Sequence, residues 1–122
     1  MSRQNEIQVK LVKNLLEIVV LQLLGETPMH GYQVIKEVRK EHGVYFGPST
    51  IYPLLQVLEK KRFIKGKWDM YKRRPRRVYQ LTVYGRNHLL LSLRFLTNLR
   101  IDITKESSTG YNAVENIPST PA

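Results

Sequence analysis

The chain of 122 residues contains no cysteine. That absence excludes disulfides, thiolate nucleophiles and every zinc site that needs sulfur, and nothing in it speaks for an oxidising compartment. Long apolar runs are also missing. The most apolar stretch, residues 15–24, is interrupted by Glu17 and Gln22 and is about half of the ~20 residues a membrane span needs. It reads as a core helix, and Gly25-Glu26-Thr27-Pro28 after it does not resemble a signal-peptide cleavage site. The expectation is therefore a cytoplasmic protein without membrane contact. Acid is scarce as well, with 10 Asp and Glu against 20 Lys and Arg, a formal charge of +10. Such a field favours polyanions, of which nucleic acid is the commonest. No glycine-rich phosphate loop is present, and His30, His42 and His88 lack metal-ligand spacing, so neither catalysis, nor a metal, nor a cofactor is expected.

What is present has the composition of a folded domain: 42% hydrophobic and 25% charged residues in a length suited to one core. Over residues 6–24 a helical period places Ile7, Leu11, Leu15 and Ile18 on one stripe and Val12, Leu16, Val19 and Leu23 on the next. An arc that wide implies a second chain as neighbour, and Gly25 is expected to stop the helix in a left-handed conformation. Thr27-Pro28 then predicts the start of a second helix running to about His42, with Tyr32, Ile35 and Val38 inward and Lys36, Arg39 and Lys40 outward. After a loop at Tyr45-Phe46-Gly47, a third helix opens at Pro48-Ser49 with Ser49 as N-cap, burying Ile51, Leu54, Leu55 and Leu58 through about Lys61. Beyond Phe63 the period changes to two, predicting a β-hairpin whose strands flank Lys72-Arg73-Arg74-Pro75-Arg76. Thr82 can cap a fourth helix over 83–103, with Leu89, Leu93, Leu96 and Ile103 spaced along it. From Lys105 the periodicity fails. The expected organisation is one domain over residues 1–104 and a flexible tail over 105–122.

Between residues 60 and 77 lie ten basic side chains (Lys60, Lys61, Arg62, Lys65, Lys67, Lys72, Arg73, Arg74, Arg76 and Arg77) and one acid, Asp69. A solvated face would mix signs, whereas one-signed clustering costs self-repulsion that a bound polyanion removes. The order helix, helix, helix, hairpin, helix is that of a winged helix-turn-helix: mainly α with a small β-hairpin, flanked by N- and C-terminal dimerisation helices. In that arrangement the second helix-turn-helix member enters the major groove and the hairpin lies along the backbone. The reading helix is then 49–61, presenting Ser49, Thr50 and Tyr52.

Three separated motifs in the chain, His30-Gly31-Tyr32, Thr50-Ile51-Tyr52-Pro53-Leu54-Leu55 and Tyr79-Gln80-Leu81-Thr82 with Gly85, closely resemble the PadR family of transcriptional regulators over roughly residues 15–90. The resemblance implies a homodimeric repressor of double-stranded DNA, and two copies about a two-fold axis would make its site an inverted repeat. It implies phosphate contacts from Tyr32 and Lys36, and DNA contacts from Ser49, Thr50 and Tyr52, which Lys61, Lys72, Arg73, Arg74, Arg76 and Arg77 of the basic segment join. It also implies a dimer interface on the first and last helices, for which Leu11, Leu15, Leu89, Leu93 and Leu96 are the candidates. Tyr32 reads equally well as a core aromatic with a wet hydroxyl, since Gly31 before it permits close packing. Where the family usually has glycine after the third helix, this chain has Arg62, which must turn left-handed at ~1 kcal/mol or shift the helix end. Some relatives bind flat aromatic compounds in a dimer cavity, but here Trp68 is on the hairpin and Phe95 is the sole aromatic of the last helix after Tyr84, so a small-molecule effector finds no support. The alternative is an RNA- or ribosome-associated winged helix, because phosphate contacts alone do not distinguish duplexes.

Overall fold

The computed structural model describes residues 3–70 and 73–110, which fall into two compact units, one up to Leu89 and one from Leu90. The first begins with α1 (Arg3–Asn14) and α2 (Leu16–Glu26), where the periodicity suggested one helix. The ladder runs on through the junction, from Leu15 N–H to Leu11 O and from Val19 N–H to Leu15 O, both at 3.0 Å. Leu15 itself departs to φ −104° and ψ 13°, which bends the helix without breaking it. With α1 so aimed, Gln8 Nε2 donates to the carbonyl of His42 at 2.7 Å. The stripes divide as a helix between two environments should: Leu16 and Leu23 are buried and Val12 and Val19 pack on the core, while Ile7 and Leu11 face solvent.

Gly25 does not stop α2. It lies inside the helix, where an added Cβ would meet Leu81 Cδ2 at 3.2 Å, so its small size serves packing and not a left-handed turn. Nor does Thr27-Pro28 open a helix. Thr27 closes α2 in an extended conformation, its N–H returning to Leu23 O at 3.3 Å, as a residue before proline favours. Met29–His30 then forms a short strand, β1. The next helix, α3 (Gly31–His42), is capped by His30, whose Nδ1 lies 3.4 Å from Gln33 N–H, and it ends at left-handed Gly43, φ 68°. Tyr32 is exposed on α3, contrary to the expected inward face, whereas Val34, Ile35 and Val38 are buried.

The loop through Phe46 leads to α4 (Pro48–Lys60). Its N-cap is Gly47, with Pro48 at the first helical position, where the missing amide proton is no loss. Ser49, expected as the cap, instead lies in the first turn. Ile51, Leu55 and Leu58 are wholly buried and make the centre of the core with Val20, Leu21, Val34 and Val38. At the far end Arg62 takes φ 67°. Its N–H bonds to Glu59 O at 2.9 Å and that of Phe63 to Leu58 O at 3.0 Å, the paired bonds of a Schellman termination.

β2 (Ile64–Asp69) and β3 (Arg76–Leu81) pair antiparallel, Ile64 opposite Leu81 and Trp68 opposite Arg77. β1 pairs with β3 on its other side, Met29 opposite Tyr79, so the expected hairpin is two-thirds of a three-stranded sheet in the order β1-β3-β2. Thr82 caps α5 (Val83–Gly110) as expected, its Oγ1 accepting from Gly85 N–H at 2.9 Å and donating to Arg62 O at 2.7 Å. An added Cβ at Gly85 would lie 2.0 Å from Phe63 O, so only glycine lets α5 start this close to the end of α4. α5 continues past the expected end near Ile103 and includes residues 105–110. The rest of the expected tail, 111–122, lies outside the described residues. No helix among the described residues is long and apolar enough to cross a membrane.

Candidate nucleic-acid interface

The first turns of α4 present Ser49, Thr50 and Tyr52 to solvent. Burial of Ile51 and Leu55 on the opposite face fixes this orientation. The ring of Tyr52 rests on α3: an added Cβ at Gly31 would come within 2.4 Å of its Cε1. Gly31 is therefore what brings the two helix-turn-helix members together at this end. On α3 Tyr32 is 61% exposed and stacks parallel to His30 at 6.5 Å. Lys36 Nζ lies 5.8 Å from its ring centroid. Tyr32 is thus an outward aromatic with a cation beside it, not a core residue. Lys61 is exposed at the other end of the 13-residue α4, about 18 Å along the axis from Ser49, and does not share their patch.

The hairpin is fastened to α4 by an ion pair that sequence reasoning missed. Arg77 Nη2 meets Glu59 Oε2 at 2.6 Å, and the same oxygen accepts from Gly66 N–H at 3.1 Å. The Arg77 hydrogen bond, helped by that backbone donor, holds the Glu59 carboxyl below its ordinary range against the opposing effect of burial. Gly66 leaves room for the guanidinium, since a Cβ there would lie 2.5 Å from Arg77 Nε. The guanidinium also covers the Trp68 ring at 5.6 Å. Arg77, expected to touch DNA, is paired within the chain with Glu59 and Trp68. The sole acid of α4, next to ten cations, was the available signal.

Arg73, Arg74 and Arg76 are exposed, and Lys72 lies outside the described residues. Arg76 reaches back over the sheet, with Nη1 3.2 Å from His30 Nε2 and Nε 3.9 Å from Asp69 Oδ2. Between α4 and the hairpin an open hollow of about 310 Å³ is lined by His30, Gly31, Tyr52, Trp68, Arg76, Arg77 and Tyr79. Burial, then Arg76 and Lys36, lower the His30 pKa from its ordinary value, with Asp69 opposing. Tyr79, buried beneath, is pushed up by desolvation and then by Glu59. Among the described residues no three His, Asp or Glu side chains gather as a metal site.

Of the residues expected at a dimer interface, Leu11 and Leu93 are exposed and Leu15 and Leu96 half-buried. Leu89 is 4% exposed in the chain's own core and has almost no surface left to offer a partner.

This architecture recurs in solved structures. A PadR family transcriptional regulator from Eggerthella lenta is 28% identical, with a TM-score of 0.74 over 83% of this chain and 88% of its own. A Streptococcus transcriptional regulator is 27% identical, with a TM-score of 0.67 over 78% and 94%. A PadR-like transcriptional regulator from Bacillus cereus, 21% identical with a TM-score of 0.69 over 79% and 94%, shares the fold. No curated protein sequence matches. The family model of PadR-like transcriptional regulators matches residues 20–90, more than half of the 122 residues. That span runs from the middle of α2, through the helix-turn-helix and the wing, into α5, and the chain belongs to the PadR-like family of transcriptional regulators.

Proposed function

We propose that the protein is a cytoplasmic homodimeric repressor that binds an inverted repeat in double-stranded DNA. The observation that carries this reading is the exposed row Ser49, Thr50 and Tyr52 at the start of α4, set beside a hairpin in the most basic segment of the chain. A helix end with short hydrogen-bonding side chains suits base edges and adjacent phosphates in the major groove. Around it Tyr32, Lys36, Arg73, Arg74 and Arg76 serve the backbone, with Lys61 and Lys72 as further phosphate contacts, and Arg77 positions the wing through Glu59. Neither a cofactor nor a small-molecule effector enters this reading. Dimerisation uses the exposed apolar residues of α1 and α5, among them Leu11, Leu15, Leu93 and Leu96. Footprinting on the DNA adjoining its own gene, with Thr50→Ala and Tyr52→Ala alongside wild type, tests the reading. Both variants should lose more affinity for the protected site than for random DNA. Equal loss on both DNAs, or stronger binding to an A-form RNA duplex whose deep groove excludes α4, would overturn it.

A further inference from the structure

His30 has an unbalanced set of neighbours. Arg76 Nη1 faces its Nε2 at 3.2 Å and the Gln33 N–H faces its Nδ1 at 3.4 Å. Both neighbours are donors. A neutral imidazole accepts at one nitrogen and carries hydrogen on the other, so one ring N–H always points at a donor. An oxygen anion placed between Arg76 and His30 removes the conflict at Nε2, because it accepts from the guanidinium and from Nε2–H together.

We propose that the hollow between α4 and the hairpin seats a backbone phosphate of duplex DNA, held by Arg76 and His30. This rests on the nucleic-acid reading above and deepens it. The hollow is lined by no acid, and Arg77, which also lines it, is committed to Glu59. It lies open beside the exposed Ser49-Thr50-Tyr52 turn, where a backbone flanking the reading helix would run, and this favours a phosphodiester over a small enclosed ligand.

The charged groups facing His30 come from each element around it. Arg76 of β3 and Lys36 of α3 oppose its protonation and Asp69 of β2 favours it. Tyr32 of α3 stacks on the ring, and Tyr52 of α4 shares the hollow. Burial and the two cations keep the free imidazole below its ordinary pKa. An arriving phosphate adds a negative charge at hydrogen-bond range and raises it. Binding therefore takes up a proton at His30 Nδ1, which gives up its long 3.4 Å contact with Gln33 N–H, and the affinity for DNA of any sequence rises as pH falls through the midpoint of the bound imidazole.

The His30 ring resonance, assigned by its loss in His30→Asn, is titrated in the full chain alone, with a random-sequence DNA duplex, and with inorganic phosphate at matched ionic strength. Duplex affinity is measured in parallel across the same range. Asparagine keeps an N-cap acceptor for Gln33, and circular dichroism checks that the variant folds. The expected result is a midpoint raised by about one pH unit with duplex, equivalent to up to about tenfold tighter binding at low pH, with that pH dependence reduced in His30→Asn. Duplex binding that leaves the His30 midpoint where it was overturns the seat and leaves the DNA reading standing. A midpoint moved by inorganic phosphate but not by duplex overturns the backbone assignment. A chain that binds no duplex at any pH overturns the reading and the seat together.

Discussion

Arg62 holds φ 67° among the described residues, a conformation otherwise taken there only by Gly43. The Schellman bonds around it and the burial of Phe63 next to it explain why the strain persists: the turn is set by its neighbours. Replacing Arg62 with Gly should stabilise the chain by ~0.5–1 kcal/mol, the relief of left-handed strain less the added freedom of the unfolded chain. Arg62→Ile should destabilise it by at least as much, and urea unfolding of both variants reads the difference. Gly85→Ala should be far more damaging than Gly25→Ala. The Cβ at 85 would strike the Phe63 carbonyl at 2.0 Å, whereas that at 25 meets a side-chain methyl at 3.2 Å, which can move. Glu59 supplies a pH dependence whose sign follows from its lowered pKa. The stability it contributes is complete above the ordinary glutamate value and is lost as pH falls through the lower folded value. Glu59→Gln should therefore flatten part of the acid limb of a melting-temperature profile below about pH 5, and an unchanged limb would show that the pair does not hold the wing.

The joints between elements are made by few side chains. Thr82 closes α5 and ties it to the end of α4 through Arg62 O and Phe63 O, so Thr82→Ala should cost about 1–2 kcal/mol in thermal unfolding, while Thr82→Ser should recover most of it. The helices, the hairpin and the Thr82 cap were legible because each rests on local chemistry: a 3.6-residue or two-residue period, or a hydroxyl three residues before an amide. The misread elements are those decided by partners distant in the chain. Met29 and His30 are too few to show a period, and they become a strand because β3 offers its edge to them. Gly25 resembles a helix stop until Leu81 is seen against it. At the interface, the exposure of Ser49, Thr50 and Tyr52 follows from the buried stripe on α4. The pairing of Arg77 with Glu59 spans eighteen residues and that of Arg76 with His30 spans forty-six, so a lone acid beside a basic run does not say which cation it takes, and nothing local announces the second pair. A basic run reveals its charge but not which of its members is already neutralised.

At the scale of the whole molecule, exposed apolar side chains remain on α1 and α5: Ile7 and Leu11 on the one, Leu91, Phe95 and Leu99 on the other. In the proposed dimer a second copy would cover them. Sedimentation at micromolar concentration should then give twice 14.3 kDa. Leu93→Glu, at a position 36% exposed in the single chain, should give a folded monomer, because the carboxylate is desolvated only in the dimer. Two copies about a two-fold axis would present α4 at about 34 Å spacing, and selection from randomised duplexes should return inverted repeats. In the proposed function α4 and the wing together meet a DNA backbone, and the salt dependence of duplex binding is the sharpest test of that contact. Comparing wild type with the Arg73→Ala, Arg74→Ala double variant, the slope of log affinity against log salt should become shallower by roughly 2, at about 0.9 for each phosphate that the variant no longer neutralises. Specific and random duplexes should weaken alike. An unchanged slope with unchanged affinity would rule this contact out, because the most basic segment of the protein would then lie away from the DNA.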